Sequence, residues 1–398
     1  MTTRFNRIAA AAALTLLAGV APVWAGDDGV TEKQIVLGQA AALKGPAENL
    51  GIGMQVGLNA AFAQVNGSGG VNGRAIELKS VNDGYEPEKS AQATQMLIDK
   101  SKVFAMIGAV GTPTAKVAVP ICDAAKVPFI GAFTGAELLR SPFQQYVVNL
   151  RASYNQETEA LAAYLVDTKG YKNVACFFQN DAFGQAGLAG IKAALERRSL
   201  SLSATGTYER NTVAIAEGLK SVAAANPDAV VMVGAYKPCA EFIKAARADA
   251  GTKNATFCNI SFVGTESLLA DVGAAGEGVI VSQVVPFPWD TSIPVVKEYQ
   301  AAMAAANAQD RIGYVSFEGY LVGRFFAQAL AKVEGDPTRE KLLATIRSAG
   351  TFDLGGFTLK FGENDHQGSD SVYLTTFKGG KIQPLGSDGS VANVPTDR

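Results

Sequence analysis

A chain of 398 residues, 48% of them hydrophobic and with a formal net charge of −2, is long enough for two domains of ordinary size. That charge lacks the basic footprint on which nucleic-acid binding rests. Four scattered cysteines and a single histidine, His366, do not supply a disulfide scaffold or a usual zinc site. A Ser-His-Asp or Cys-His mechanism would need that one histidine opposite a nucleophile, and it sits in a polar stretch that reads as a solvated loop. No metal, no cofactor and no enzymatic activity are expected.

The chain opens with Arg4 and Arg7, an apolar run from Ile8 to Val20, and Val23-Trp24-Ala25 ahead of Gly26. This layout predicts a secretory signal over residues 1–25, cut after Ala25, and the run is too short to span a bilayer stably. No cysteine follows the cut to accept a lipid. Removal of the segment takes away two arginines and moves the formal charge from −2 to −4. The mature chain is expected free in the periplasm.

Short apolar runs then alternate with helical stripes, the pattern of parallel sheets covered by helices. Strands are expected at Ile35–Ala40, Ile76–Val81, Val103–Ile107, Phe129–Gly131 and Tyr146–Val148. Met54, Leu58, Ala61, Phe62 and Val65 recur at helical spacing between the first two. A second set follows at Val174–Phe178, Ala229–Val233, Phe257–Val263 and Val279–Ser282, again separated by helical stripes. Pro286-Phe287-Pro288-Trp289 cannot continue a central strand and reads as a crossover. Helices over Pro294–Ala306 and Tyr314–Val333 come next, and the tail from Phe352 alternates short β-runs with turns. The expected fold class is therefore α/β with two parallel-sheet lobes: residues 26–149 with 284–350, and residues 150–283 with 351–398. Cys122 and Cys176 read as buried small hydrophobes, whereas Cys239 and Cys258 could pair in an oxidising compartment.

Two glycine series begin helices. Gly51, Gly53 and Gly57 faintly suggest a dinucleotide fingerprint, but about ten residues separate them from the first strand, where that motif needs its glycines at once. Close helix packing accounts for them better, and the same holds for Gly184, Gly187 and Gly190.

Several stretches are similar to the Leu/Ile/Val-binding-protein family of type I periplasmic binding proteins. The most specific is Asn66 through Arg74 followed by the strand Ile76–Val81 and Asp83. Gly45-Pro46, Gly108 through Thr114, Val127-Pro128 through Ala136, and Gly234 through Pro238 follow in family order. The resemblance implies a type I periplasmic binding protein with Rossmann-like lobes, three crossovers and a small-molecule ligand in the cleft. It implies the role of solute-binding component of an ABC importer, with inner-membrane ABC permease subunits as partners and a monomeric state. A sensory receptor for a chemoreceptor or kinase shares the fold, and a secreted Rossmann-like enzyme is the more distant alternative.

The resemblance also implies site residues. It places ligand-carboxylate contacts in the turn holding Gly111 and Thr112 and in the next turn, Ala132-Phe133-Thr134. On sequence alone Thr112 suits a helix N-cap with Pro113 at the first helical position, and Thr134 with Glu137 reads equally as a capping box. On the other lobe Phe183 falls where the family has an aromatic that closes over the ligand, although a core aromatic is the other reading. Tyr236 matches the next binding turn, where Cys239 stands in place of the glutamate that pairs with an amino acid's ammonium. Leu50 stands where an aromatic is frequent. These departures point to a carboxylate-bearing ligand with an apolar or aromatic body; an aliphatic amino acid is the alternative if Asp181 or Glu241 reaches the amine.

Overall fold

The structure is a computed structural model and describes residues 27–386. The segment expected to be a signal, with its cut after Ala25, lies outside the described residues. In chain order come β1 (Gln34–Ala41), α1 (Glu48–Gly67), β2 (Ala75–Asn82), α2 (Pro87–Asp99), β3 (Ala105–Ile107), α3 (Thr112–Ala124), β4 (Phe129–Ile130) and β5 (Val147–Val148). The five strands form one parallel sheet in the order β2-β1-β3-β4-β5.

The chain crosses to a second unit: α4 (Tyr154–Ala162), β6 (Val174–Gln179), α5 (Ala182–Glu196), β7 (Thr205–Tyr208), α6 (Ala216–Ala223), β8 (Ala229–Val233), α7 (Tyr236–Ala248), β9 (Thr256–Asn259), α8 (Thr265–Val272) and β10 (Ile280–Gln283). Every residue of β6, β8 and β10 is buried, as a sheet covered on both faces requires. After β10 the chain returns through 284–293 to α9 (Pro294–Ala305), α10 (Tyr314–Ala331) and α11 (Arg339–Ala349). Then follow β11 (Thr351–Asp353), β12 (Thr358–Lys360), β13 (Tyr373–Lys378) and β14 (Lys381–Pro384). β13 and β14 add antiparallel to β10, which completes a seven-stranded sheet β14-β13-β10-β9-β8-β6-β7.

The glycine series explain how α10 joins the first lobe. A Cβ on Gly57 would lie 1.9 Å from the Ser316 carbonyl oxygen, and one on Gly319 would lie 2.4 Å from that of Met54. Only glycine lets α1 and α10 approach so closely. In the second lobe a Cβ on Gly187 would meet Val233 and one on Gly190 would meet Thr158, so α5 sits tight on β8 and α4. Arg339 at the start of α11 donates to the Phe104 and Val103 carbonyls at 2.9 and 2.8 Å, which ties α11 to the first sheet.

Two details depart from expectation. The run Phe257–Val263 is not one strand: β9 ends at Asn259, a short 3₁₀ turn covers Ser261–Val263, and Gly264, at φ 78°, swings the chain into α8. The hairpin β11–β12 rests on α10 through Phe352 and Phe361, whose rings lie 5.1 and 5.2 Å from Phe325. Residues 361–372 then lead from this hairpin to β13. There His366 is buried, not solvated: its Nε2 lies 2.9 Å from the Leu139 carbonyl, and its own carbonyl accepts from Asn149 N at 2.8 Å.

Candidate functional site

The C-terminal ends of both sheets face each other across the crossovers, so the loops that follow the strands meet there. After β3 the backbone turns at Gly111, φ 104°, and enters α3. The N-cap is Gly111, which moves Thr112 to the first helical position and Pro113 to the second, one step from the expected placement. Glycine is required at this point: a Cβ would lie 2.2 Å from the Tyr85 ring. The early amides of α3 have no intrahelical acceptor and carry partial positive charge toward the cleft.

Thr134 reaches this helix end from the loop after β4. Its Oγ1 lies 2.7 Å from Thr112 Oγ1, with both residues fully buried. The T-x-x-E capping box does not form. Glu137 starts a three-residue 3₁₀ turn capped by Ala136 without a side-chain bond, and Thr134 Oγ1 instead accepts from Ala136 N at 3.2 Å. Tyr154, at the start of α4, brings a third hydroxyl close to Thr134. Among the described residues that buried hydroxyl has no partner at full hydrogen-bond geometry, and burial pushes its pKa up to about 12, so it remains a proton donor.

Aromatic rings from both lobes close over these hydroxyls. Phe262, from the turn after β9, sits at the centre, 4.3 Å from Phe183, 5.4 Å from Phe133 and 5.8 Å from Tyr85. Tyr154 packs on Phe183 at 5.6 Å. Further along the cleft, Leu50 abuts Gly264 from the opposite lobe, and Asn49 N donates to the Tyr236 hydroxyl at 3.5 Å. At the rim, Arg210 of the second lobe pairs with Glu86 of the first at 2.9 Å and with Asp181 at 2.9 Å. Asn211 Nδ2 adds a 2.7 Å bond to Glu86 and one of 3.1 Å to the Gly84 carbonyl.

Charge also enters the cleft from outside the binding turns. The Arg151 guanidinium lies 4.9 Å from the centre of the Phe133 ring. It contacts Glu157 at 3.1 Å, Glu318 at 3.4 Å and the Ser261 hydroxyl, all buried, while its Nε has no partner among the described residues. Glu157 is fully engaged, accepting from Ser261 N at 2.7 Å and Ser282 Oγ at 2.6 Å as well. Among the described residues Glu318 has only Arg151, and burial pushes its carboxyl up to about 7 against that attraction.

The nine residues singled out in the sequence do not all share one surface. Gly111, Thr112, Phe133, Thr134 and Phe183 converge, and Leu50 with Tyr236 extends the same interlobe seam. Ala132 instead belongs to the smaller first-lobe cluster with Val103, Met106 and Ala115. Cys239 is buried against Gly234 and Tyr208, and burial holds its thiol well above the ordinary range. Neither Cys239 nor Cys258 is in a disulfide. Of the two carboxylates that could answer an ammonium, Glu241 is exposed and pairs with Lys244 at 2.8 Å, while Asp181 caps α5 through Phe183 N. Tyr85, Tyr154, Phe262 and the Arg151 group were missed. Glu318 carried a readable signal, a lone carboxylate early in an otherwise apolar helix.

The model of a family described as periplasmic binding protein matches residues 34–381. The chain belongs to the periplasmic binding protein family. Among solved structures of such binding proteins, one from Rhodopirellula baltica SH 1, described as a possible leucine/isoleucine/valine-binding protein, is 37% identical with a TM-score of 0.83, covering 89% of this chain and 96% of that one. A substrate-binding periplasmic protein from Ralstonia solanacearum is 26% identical with a TM-score of 0.81, covering 86% and 97%. The leucine-, isoleucine-, valine-, threonine- and alanine-binding protein of Pseudomonas aeruginosa is 23% identical over 366 residues, 91% of this chain and 92% of that protein. The type I fold and a binding rather than enzymatic role follow, with the periplasm as the family's compartment. Among the described residues no helix is long and apolar enough to cross a membrane.

Proposed function

We propose that this periplasmic binding protein serves an ABC importer and takes a small carboxylate with an apolar or aromatic body between its lobes. The mature chain begins at Gly26, and the lobes hinge about the three crossovers. The observation that carries the ligand class is the Thr112–Thr134 hydroxyl pair at the N-terminus of α3, with the Tyr154 hydroxyl beside it and Phe133, Phe183, Phe262 and Tyr85 around it. Neutral donors at a helix end hold a carboxylate at modest desolvation cost. Aromatic walls suit an apolar body. Cys239 and the engaged positions of Asp181 and Glu241 leave an α-ammonium in that turn without a counter-charge, which is costly when buried.

Native mass spectrometry of protein purified from the periplasm without refolding identifies a retained ligand. Calorimetry against aliphatic amino acids and their deamino analogues then tests the class: the deamino acids are expected to bind. Tight leucine or valine binding with no response to those analogues refutes this reading and favours an aliphatic amino acid, which the names of the relatives suggest. Thr134→Val keeps the shape and removes the hydroxyl, so it should weaken the ligand by about 1–3 kcal/mol.

A further inference from the structure

Away from the cleft, where the second crossover passes α8 and the β13–β14 hairpin, lies a cavity of about 1090 Å³. Phe287, Trp289 and Phe377 line it with Leu269 and Ile382, and Glu266, Glu277 and Lys381 supply its charge. The Phe287 and Trp289 rings lie 5.0 Å apart, and Tyr314 stands 6.4 and 6.0 Å from them at steep interplanar angles of 65° and 83°. Trp289 is 38% exposed, so its ring is open to the cavity and to solvent.

The carboxyl at the edge of this aromatic group is Glu266. Its Oε1 accepts from Tyr314 N at 2.9 Å, a bond that runs from α8 of one lobe to the start of α10 of the other. Among the described residues its second oxygen makes no hydrogen bond to another residue. Glu266 lies deep enough for burial to push its carboxyl up to about 7, yet it keeps partial exposure, and the cavity is where that exposure leads. Glu277 Oε2 is engaged by Gly379 N at 3.0 Å. Glu277 and Lys381 offset each other, so Glu266, once ionised, sets the sign of the lining, and aromatic faces attract a weakly hydrated cation by their quadrupole.

We propose that this cavity is a second ligand site, for an organic ammonium carrying an apolar body. The cationic head sits between Glu266 and the rings of Trp289 and Phe287, and the body lies along Leu269, Phe377 and Ile382. At about 1090 Å³ the cavity has room for such a molecule. Because Glu266 and Tyr314 belong to different lobes and Trp289 to the crossover, occupancy acts on the hinge. This second site does not rest on which ligand the cleft takes.

Trp289 is the only tryptophan beyond residue 25, so its fluorescence in the mature protein reports this place alone. The test titrates hexyltrimethylammonium, with hexanol and hexanesulfonate as neutral and anionic counterparts, by Trp289 fluorescence and calorimetry. The expected result is saturable binding of the ammonium, with the two counterparts weaker by roughly tenfold or more. Glu266→Gln keeps an acceptor for Tyr314 N and should weaken the ammonium by a similar factor while the thermal melt stays cooperative. Trp289→Leu, read by calorimetry, gives a second measure. Thr134→Val should leave the ammonium affinity unchanged. Equal binding of hexanol, an unchanged affinity in both variants, or loss of the signal in Thr134→Val overturns the proposal, the last because it puts the ammonium in the cleft.

Discussion

Removing Glu86 should loosen the cleft without touching the core of either lobe. Its carboxylate is the first lobe's side of the rim cluster, paired with Arg210 and bonded to Asn211, while Asp181 holds Arg210 from the second lobe. The Glu86 and Arg210 side chains are 37% and 23% exposed, which limits the ion pair to about 0.5–1 kcal/mol. The Asn211 bond to a charged acceptor adds about 1 kcal/mol. Glu86 precedes α2 but makes no side-chain cap, so Glu86→Ala spares that helix. The sum, about 1.5–2 kcal/mol, raises the opening constant roughly ten- to thirtyfold. Two amides report it. Asn49 N and Tyr314 N lie in the first turns of α1 and α10, where no intrahelical acceptor exists, and both donate to side chains of the opposite lobe. Hydrogen exchange at these amides should accelerate by that factor in Glu86→Ala, with amides of β3 and β8 unchanged. High salt should narrow the gap between variant and wild type, because it screens the ion pair. Equal exchange at Asn49 and Tyr314 in both proteins would refute the reasoning, as would a uniform acceleration across the chain.

Arg151→Met should cost about 3–5 kcal/mol in chemical denaturation, because it leaves Glu157 and Glu318 buried without their counter-ion. Gly111→Ala should cost about 1–3 kcal/mol, since φ 104° strains any side chain and the Tyr85 ring fills the space. Glu266 has its pKa raised from 4.5 to about 7 in the folded state, which therefore binds the proton more tightly than the unfolded chain. Its contribution to stability is full below pH 4.5 and is lost as pH rises through about 7. Denaturation measured across that window should show a shallower decline in Glu266→Gln, by no more than about 3 kcal/mol.

The layered α/β plan was legible because buried parallel strands are nearly continuous apolar runs; Ala229–Val233 is read to the residue. β7 escaped because Thr205–Tyr208 alternates exposed and buried residues and carries Gly206, whose missing side chain admits the Gly218 carbonyl. The hydroxyl pair could be anticipated from two turns of similar design, yet the one-residue shift at Gly111 depends on a backbone angle that composition does not reveal. Phe262 looked like strand interior because the turn after Asn259 is set by Gly264 and by the packing of α8. Arg151 sat at an expected crossover, where a charge reads as solvated. Its burial depends on Glu318, distant in sequence and delivered by the return of α10. His366 failed for the same reason, since a polar neighbourhood in sequence is buried by Leu139 and Phe143 in space.

The close seating of α10 on α1 also sets an order of assembly. The first lobe is built from two chain segments separated by most of the second, so α1 exposes an apolar face until residues beyond 313 arrive. The second lobe's parallel strands β6 to β10 are contiguous in sequence and close short loops. Closing the long loop between α1 and α10 costs more entropy and comes later. A chain emerging from its N-terminus therefore has no complete first lobe to fold prematurely, and it stays threadable for most of its length. On the export route proposed above, the late helix acts as a delay on the earliest segment to emerge.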